Sequence, residues 1–176
     1  MTLTFGAANM ALRKSSLNKF VAIGEKATAD DFVLRVDAYP EMEYLVQAAQ
    51  MPAIKRELVE IVGPHGVQVR QQGKIVNAGE LPITFIETIN GAALGVLRKW
   101  VQNKEYHTVV MALVSEGQIA SNPNSTCVLE GCWLQSEPIE LSVEDGTAPL
   151  KPTGTLHYNW AGWYEGSELA TILSWL

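Results

Sequence analysis

The sequence predicts a mainly β fold: an antiparallel β-sandwich or small barrel with one flanking α-helix. Three observations carry this expectation. Short runs of alternating or wholly apolar residues recur along the chain, as strands with one or two covered faces require. Clusters such as Gly63-Pro64-His65-Gly66 punctuate these runs and read as turns. A single interior segment, following Asn90, has the i, i+3, i+4, i+7 apolar spacing of an amphipathic helix. About eight strands and one helix suit a sandwich or barrel with the helix plugging one side.

In chain order, Phe32, Leu34 and Val36 share one face of the first strand, with Arg35 and Asp37 opposite. Tyr39-Pro40 marks a turn. In the second strand, Tyr44, Val46 and Ala48 alternate with Glu43, Leu45 and Gln47, and the run breaks at Met51-Pro52. The third, over Arg56–Val62, puts Leu58 and Val62 on one side and Val59 and Ile61 on the other. Strands with two semi-apolar faces must be covered on both, either as central strands or by another subunit. After the Gly63 turn, in which His65 is a loop residue, a short basic strand over Val67–Lys74 carries Arg70 and Lys74 with no acid beside them in sequence.

Leu81–Thr88 reads as the next strand. Asn90 is the expected N-cap of a helix of about three turns, buried through Ala93, Leu94, Leu97, Trp100 and Val101. Val109–Val114 is apolar on both faces, so a fully covered strand is predicted. Glu116–Ser125 reads as a loop. Three strand-like runs follow: one ending at Gly131-Cys132-Trp133, the alternating Ile139–Val143, and a last one with Leu156, Tyr158 and Trp160 on one face and His157 and Asn159 on the other. Trp100, Trp133 and Trp160 are accordingly expected in the core. Residues 1–30 stand apart as an N-terminal arm or a loose terminus, with Leu17, Phe20 and Val21 at helical spacing. Residues 165–176 hold Leu169, Ile172, Leu173 and Leu176 at the same spacing and suggest a short helix.

The chain has 176 residues, 47% of them hydrophobic, which suits one domain with a core that needs neither metal nor disulfide. The longest apolar run, Val109–Val114, is far shorter than the ~20 residues that span a bilayer. Arg13 and Lys14 lead into Ser15, Ser16, Asn18 and Lys19, so no signal peptide is expected. A net charge of −6 disfavours a nucleic-acid-binding face. Cys127 and Cys132 lie five apart in one strand; strict alternation would send them to opposite faces, as packed thiols without a disulfide.

No catalytic constellation emerges. His65, His107 and His157 fall in separate elements, and no nucleophile elbow or metal-ligand pair is present. Gly91-Ala-Ala-Leu-Gly95 opens a helix after a strand but lacks the Gly-Lys-Ser/Thr ending of a phosphate loop. Glu137 and Glu140, three apart in a predicted strand, diverge. Neither an enzyme nor a cofactor or metal site is expected.

The order of these elements over Asp31–Tyr164 resembles the tail-tube proteins of contractile-tailed bacteriophages. The shared features are the strand broken at Met51-Pro52, one helix closing on Leu97-Arg-Lys-Trp100, the Gly131-Cys132-Trp133 strand, a short alternating strand and an aromatic final strand. The resemblance implies three regions: the arm 1–30, a tube β domain over 31–164 and the terminal segment 165–176. It implies homohexameric rings whose sheets join into one inner barrel and stack into a hollow tube, a conduit for DNA ejection. Implied partners are further copies of the chain, the sheath protein, the baseplate, the tail terminator and the tape-measure protein, with DNA passing through without specific binding and no membrane anchor. The implied location is the virion tail, after synthesis in the bacterial host cytoplasm. Glu43, Glu57 and Glu60 are expected to face an acidic lumen, and Arg70 and Lys74 a ring-to-ring contact. Two further readings stay open: the tube of an R-type tailocin or type VI secretion system, and a monomeric carbohydrate-binding module using Trp160 or Trp163 as an aromatic platform.

Overall fold

The computed structural model describes residues 5–24, 27–114, 125–142 and 146–163, and it divides into two units, Met1–Asp31 and Phe32–Leu176. In the first unit, Phe5–Ala22 form an 18-residue helix, α1, longer than the short one predicted. Its apolar residues are spread around the axis, and Met10, Leu12, Leu17, Phe20 and Val21 are all exposed.

The second unit contains β1 (Phe32–Val36), β2 (Val46–Ala49), β3 (Lys55–Val62), β4 (Gln68–Val76), β5 (Gly79–Phe85), α2 (Ala92–Gln102), β6 (His107–Leu113), β7 (Thr126–Ser136), β8 (Thr153–Tyr158) and β9 (Trp160–Gly162). Six strands join antiparallel in the order β1–β6–β7–β8–β5–β2, with β9 beside β7, and the sheet curls into a nearly closed barrel flanked by α2. β3 and β4 form a separate two-stranded sheet. The mainly β architecture with one flanking helix is the one predicted.

Alternation fills the barrel. Leu34 and Val36 of β1, Leu81, Ile83 and Phe85 of β5, Val109 and Met111 of β6, and Leu156 and Tyr158 of β8 point into one core, closed by Ala93, Val96, Leu97 and Trp100 of α2. Each fully buried aliphatic side chain contributes roughly 1.5–3 kcal/mol. Val110 and Ala112, on the other face of β6, are buried as well, so the strand predicted to be covered on both sides is covered over Val109–Ala112, while Leu113 is exposed.

β7 departs from simple alternation. Between His107/Cys132 and Val109/Leu129 its register with β6 shifts, and Gly131 adopts φ +63. The extra residue resets the parity, so Cys127 and Cys132 both point into the core instead of to opposite faces. Both thiols are free, and burial pushes each up to about 12. Asn159, opposite this bulge, interrupts the last strand; its amide donates to the Glu130 carbonyl and its Nδ2 to the Gly131 carbonyl. The break turns Trp160 away from the Leu156/Tyr158 face.

Three other expectations change. Pro40–Tyr44 form a 3-10 turn, so the second strand begins only at Val46, and Glu43 lies in that turn. Ile139–Ser142 form no strand; Leu141 is 81% exposed, so the alternation there has no face to bury. Val143, residues 116–124 of the predicted loop, Tyr164 and the C-terminal segment 165–176 lie outside the described residues. Finally, the residue preceding α2 is Gly91, at φ 72, not Asn90. Its first amides are satisfied from upstream: Ala93 N donates to Glu87 Oε1 (3.0 Å), Leu94 N to Glu87 Oε2 (2.7 Å) and Ala92 N to Thr88 Oγ1 (3.1 Å). Glu87→Ala frees two of the helix's orphan donors and removes a carboxylate from the positive end of its dipole. It should cost about 1–2 kcal/mol in urea unfolding, whereas Asn90→Ala should cost only a few tenths.

Candidate assembly interface

The β3–β4 ribbon is the part of the barrel unit that its own fold does not explain. Every residue of β3 is exposed, and among the described residues no third strand pairs with either outer edge. Leu58, Val59, Ile61, Val62, Val67, Val69 and Ile75 are exposed together on it. A two-stranded hairpin alone in water is marginal, and unpaired edges beside apolar side chains invite another chain.

Its register decides which side chains share a face. Leu58↔Gln72, Glu60↔Arg70 and Val62↔Gln68 pair on one face, and Val59↔Gln71 and Ile61↔Val69 on the other. A bulge between Arg56 and Leu58 places the extra residue on β4, near Gly73 and Lys74. A Cβ at Gly73 would stand 2.9 Å from Val59 Cγ2, so only glycine lets the two strands close there.

The predicted site residues distribute unevenly over this geometry. Glu43 accepts from Arg35 Nε at 2.8 Å and is largely buried. Glu57 and Glu60, three apart on an unbulged strand, stand on opposite faces. Arg70, which has no acid beside it in sequence, has one across the ribbon: its Nε lies 2.9 Å from Glu60 Oε1. One expected lumen residue and one expected ring-contact residue are thus partners. Lys74 is exposed at the bulge.

The tryptophans separate as well. Trp100 is 2% exposed and in the core, as predicted; Trp133 is 39% and Trp160 48% exposed. Trp133 stacks on His157 across the β7–β8 pair, ring centroids 4.0 Å apart and planes 11° from parallel, on the barrel's outer face. The parity reset at Gly131 and the break at Asn159 account for both departures.

A second polar group sits where α2 ends. Lys104 takes φ 54, and the amides of Lys104 and Glu105 return to the Val101 and Trp100 carbonyls, a helix stop that sends Glu105 back toward the barrel. The Glu105 carboxylate accepts from Asn103 Nδ2 (2.8 Å), Tyr39 Oη (2.7 Å) and His107 Nε2 (3.0 Å), while His107 Nδ1 lies 3.1 Å from Asp37 Oδ1. These bonds, Asn103's first, hold Glu105 down at about 2. Sequence spacing gave no sign of this latch, since Asp37, Tyr39 and Glu105 meet only when β1 pairs with β6. A carboxylate whose folded pKa is depressed stabilises the fold above its unfolded value, near 4.5, and that stability is lost as pH falls toward 2. Wild-type protein should therefore lose stability more steeply between about pH 4.5 and 2 than Glu105→Gln, as acid titration followed by circular dichroism will show.

Nothing here assembles a reaction centre from the described residues. His65 lies in a turn at φ 59, His107 in the latch and His157 under Trp133. Among the described residues no group of His, Cys, Asp and Glu converges as metal ligands would. Glu137 bonds to Thr153 instead of meeting Glu140.

No protein-family model matches the chain, and no curated protein sequence does. Solved structures do. A chain of the sheath/tube terminator of an extracellular contractile injection system, PVC, aligns with TM-score 0.60 at 9% identity, over 80% of this chain and 97% of that one. The tube-terminating cap of the anti-feeding prophage gives 0.58 at 10% identity, over 79% and 91%. A chain of the PVC sheath–tube complex in the extended state gives 0.57 at 11%, over 82% and 95%. At these identities the likeness is one of fold: this chain has the fold of structural components of contractile injection systems.

Proposed function

We propose that this chain is a non-enzymatic, ring-forming tube component of a contractile tail or injection machine. The observation that carries the reading is the β3–β4 ribbon, with apolar side chains on both faces and two edges unpaired among the described residues, in a chain whose fold is that of such machines. A neighbouring copy would supply both missing edges, and a closed ring of copies would leave none. Homohexameric rings that stack into a hollow tube are the arrangement implied by the sequence resemblance. The sheath, baseplate, terminator and tape-measure proteins are the proposed partners, and in a phage the lumen conducts DNA. On this reading α1 is an arm laid on a neighbour.

Electrostatics favour the same partner. Lys55, Arg56, Arg70 and Lys74 against Glu57 and Glu60 leave residues 55–76 at +2, and the remainder of a chain of net −6 at −8. A basic ribbon therefore meets an acidic body on every other copy, which steers encounter and fixes orientation more than it adds affinity.

Negative-stain microscopy and mass photometry of concentrated protein test the proposal: rings or tubes are expected, and a compact monomer at every concentration and ionic strength overturns it. Rings that never stack would place the chain at a tube end, as in the terminator and cap structures of similar fold. The ring-to-ring contact is assigned to Lys74 with Arg70. Arg70→Glu combined with Lys74→Glu should permit rings and shorten tubes, more so at low salt. Each exposed pair contributes only about 0–1 kcal/mol, so the effect depends on repetition around the ring. Since Arg70→Glu also repels Glu60, a Glu60→Arg/Arg70→Glu swap, which restores the cross-strand pair, is the control; tubes of wild-type length from the double variant refute the contact.

A further inference from the structure

Resting on the reading that copies of this chain assemble, we infer that the two faces of the β3–β4 ribbon have different fates: the Val59/Ile61/Val69 face is seated on a second copy, and the Glu60/Arg70 face stays in water, which leaves the proposed ring-to-ring contact to Lys74, with Arg70 held within the ribbon by Glu60. The register carries the distinction. On the second face every cross-strand pair has a polar member, Leu58 with Gln72, Glu60 with Arg70 and Val62 with Gln68, and its centre is an ion pair. On the first, Ile61 faces Val69 directly and Val59 lies diagonal to Val69, a contiguous aliphatic patch.

Burial costs differ accordingly. Seating the ion-paired face on a neighbour would desolvate Glu60 and Arg70, and the gain from their attraction offsets that loss poorly. Seating the aliphatic face removes apolar surface and the single amide of Gln71, with the Glu57 carboxylate, on the same face beside the bulge, kept at the rim where water still reaches it. Gly73 keeps this face low: Val59 lies across it with no room for a Cβ, so the patch presents few projections to a partner. The occupant is a second copy, because the ribbon's +2 is complemented by the −8 carried on the rest of every copy.

One consequence alters the expected channel wall. If Glu60 and Arg70 line the lumen, their charges cancel and Arg56 on the same face adds a cation, while Glu57 goes to the interface and Glu43 is held by Arg35. The wall contributed by this ribbon then carries +1 per copy and is weakly basic, not acidic.

Thiol accessibility tests the assignment, because the native Cys127 and Cys132 are buried, with thiols pushed up to about 12, and stay silent to maleimide at neutral pH. Ile61→Cys and Val69→Cys report the aliphatic face, Gln72→Cys and Gln68→Cys the other. All four positions are exposed in the single chain, so the variants should fold, which thermal melts verify. On assembly, labelling at positions 61 and 69 should slow at least about tenfold, and at 68 and 72 change less than about twofold. Equal protection of both faces, or protection of 68 and 72 alone, overturns the inference while leaving self-assembly standing. Failure of the unmodified chain to assemble overturns the reading beneath it, and the inference with it.

Discussion

Trp100→Ala is expected to lower the unfolding free energy by about 3–5 kcal/mol, the range for truncating a buried aromatic. Trp100 closes the apolar face of α2 over the barrel beside Ala93, Val96 and Leu97. Its ring meets His107 edge-on, centroids 4.9 Å apart, and Tyr39 at 6.5 Å, so it also supports two of the three residues that hold Glu105. Its carbonyl accepts the Glu105 amide that stops the helix. Truncation leaves a cavity next to the latch, and the loss should be partly shared with Glu105→Gln in a double-mutant cycle. Trp133→Ala and Trp160→Ala, on the outer face, should cost far less, about 0.5–1.5 kcal/mol for the Trp133–His157 stack. Urea midpoints for the three variants check the ranking; equal losses would show that the outer face is covered in the isolated chain.

That ranking departs from the sequence expectation at one structural event. Alternation placed Leu34, Val36, Val109 and Leu156 correctly, and helical spacing placed Ala93, Leu97 and Trp100, because both periods hold while backbone geometry is regular. A single added residue at Gly131 reverses the parity of everything after it in β7, and the break at Asn159 does the same to β9. Cys132, Trp133 and Trp160 were misplaced for that reason. The alternation at Ile139–Ser142 misled differently: a pattern needs a partner edge, and sequence does not say whether one is available. The ribbon was more legible, since two-faced strands announce a missing cover. What periodicity alone could not supply was the cross-strand register, which makes partners of Glu60 and Arg70 and divides Glu57 from Glu60.

Gly154→Ala should destabilise the barrel by about 1–3 kcal/mol, the usual cost of forcing an atom into a packed interior. Gly154 lies mid-sheet, paired with Ser136 on one side and Ile83 on the other. A Cβ there would stand 2.8 Å from the Gln135 carbonyl oxygen and 3.5 Å from Ser136 Cα. Those are backbone atoms, which cannot rotate aside as a side chain can, so β8 must move relative to β7 or β5 and strain two ladders. Opposing this, alanine narrows the unfolded ensemble and favours folding by about 0.4–1 kcal/mol, too little to offset the clash. Gly79→Ala probes the other end of β5: its Cβ would stand 2.5 Å from Tyr158 Oη, and Tyr158 would have to leave the core. Gly95→Ala isolates the entropic part, because it lies in α2 with nothing within 4 Å of the added carbon, and it should stabilise by about 0.5–1 kcal/mol. Thermal melts should therefore move in opposite directions, Gly95→Ala upward and both strand variants downward. A Gly154→Ala protein as stable as wild type would mean that the β7–β8 register around Gln135 and Ser136 is looser than its hydrogen bonding implies.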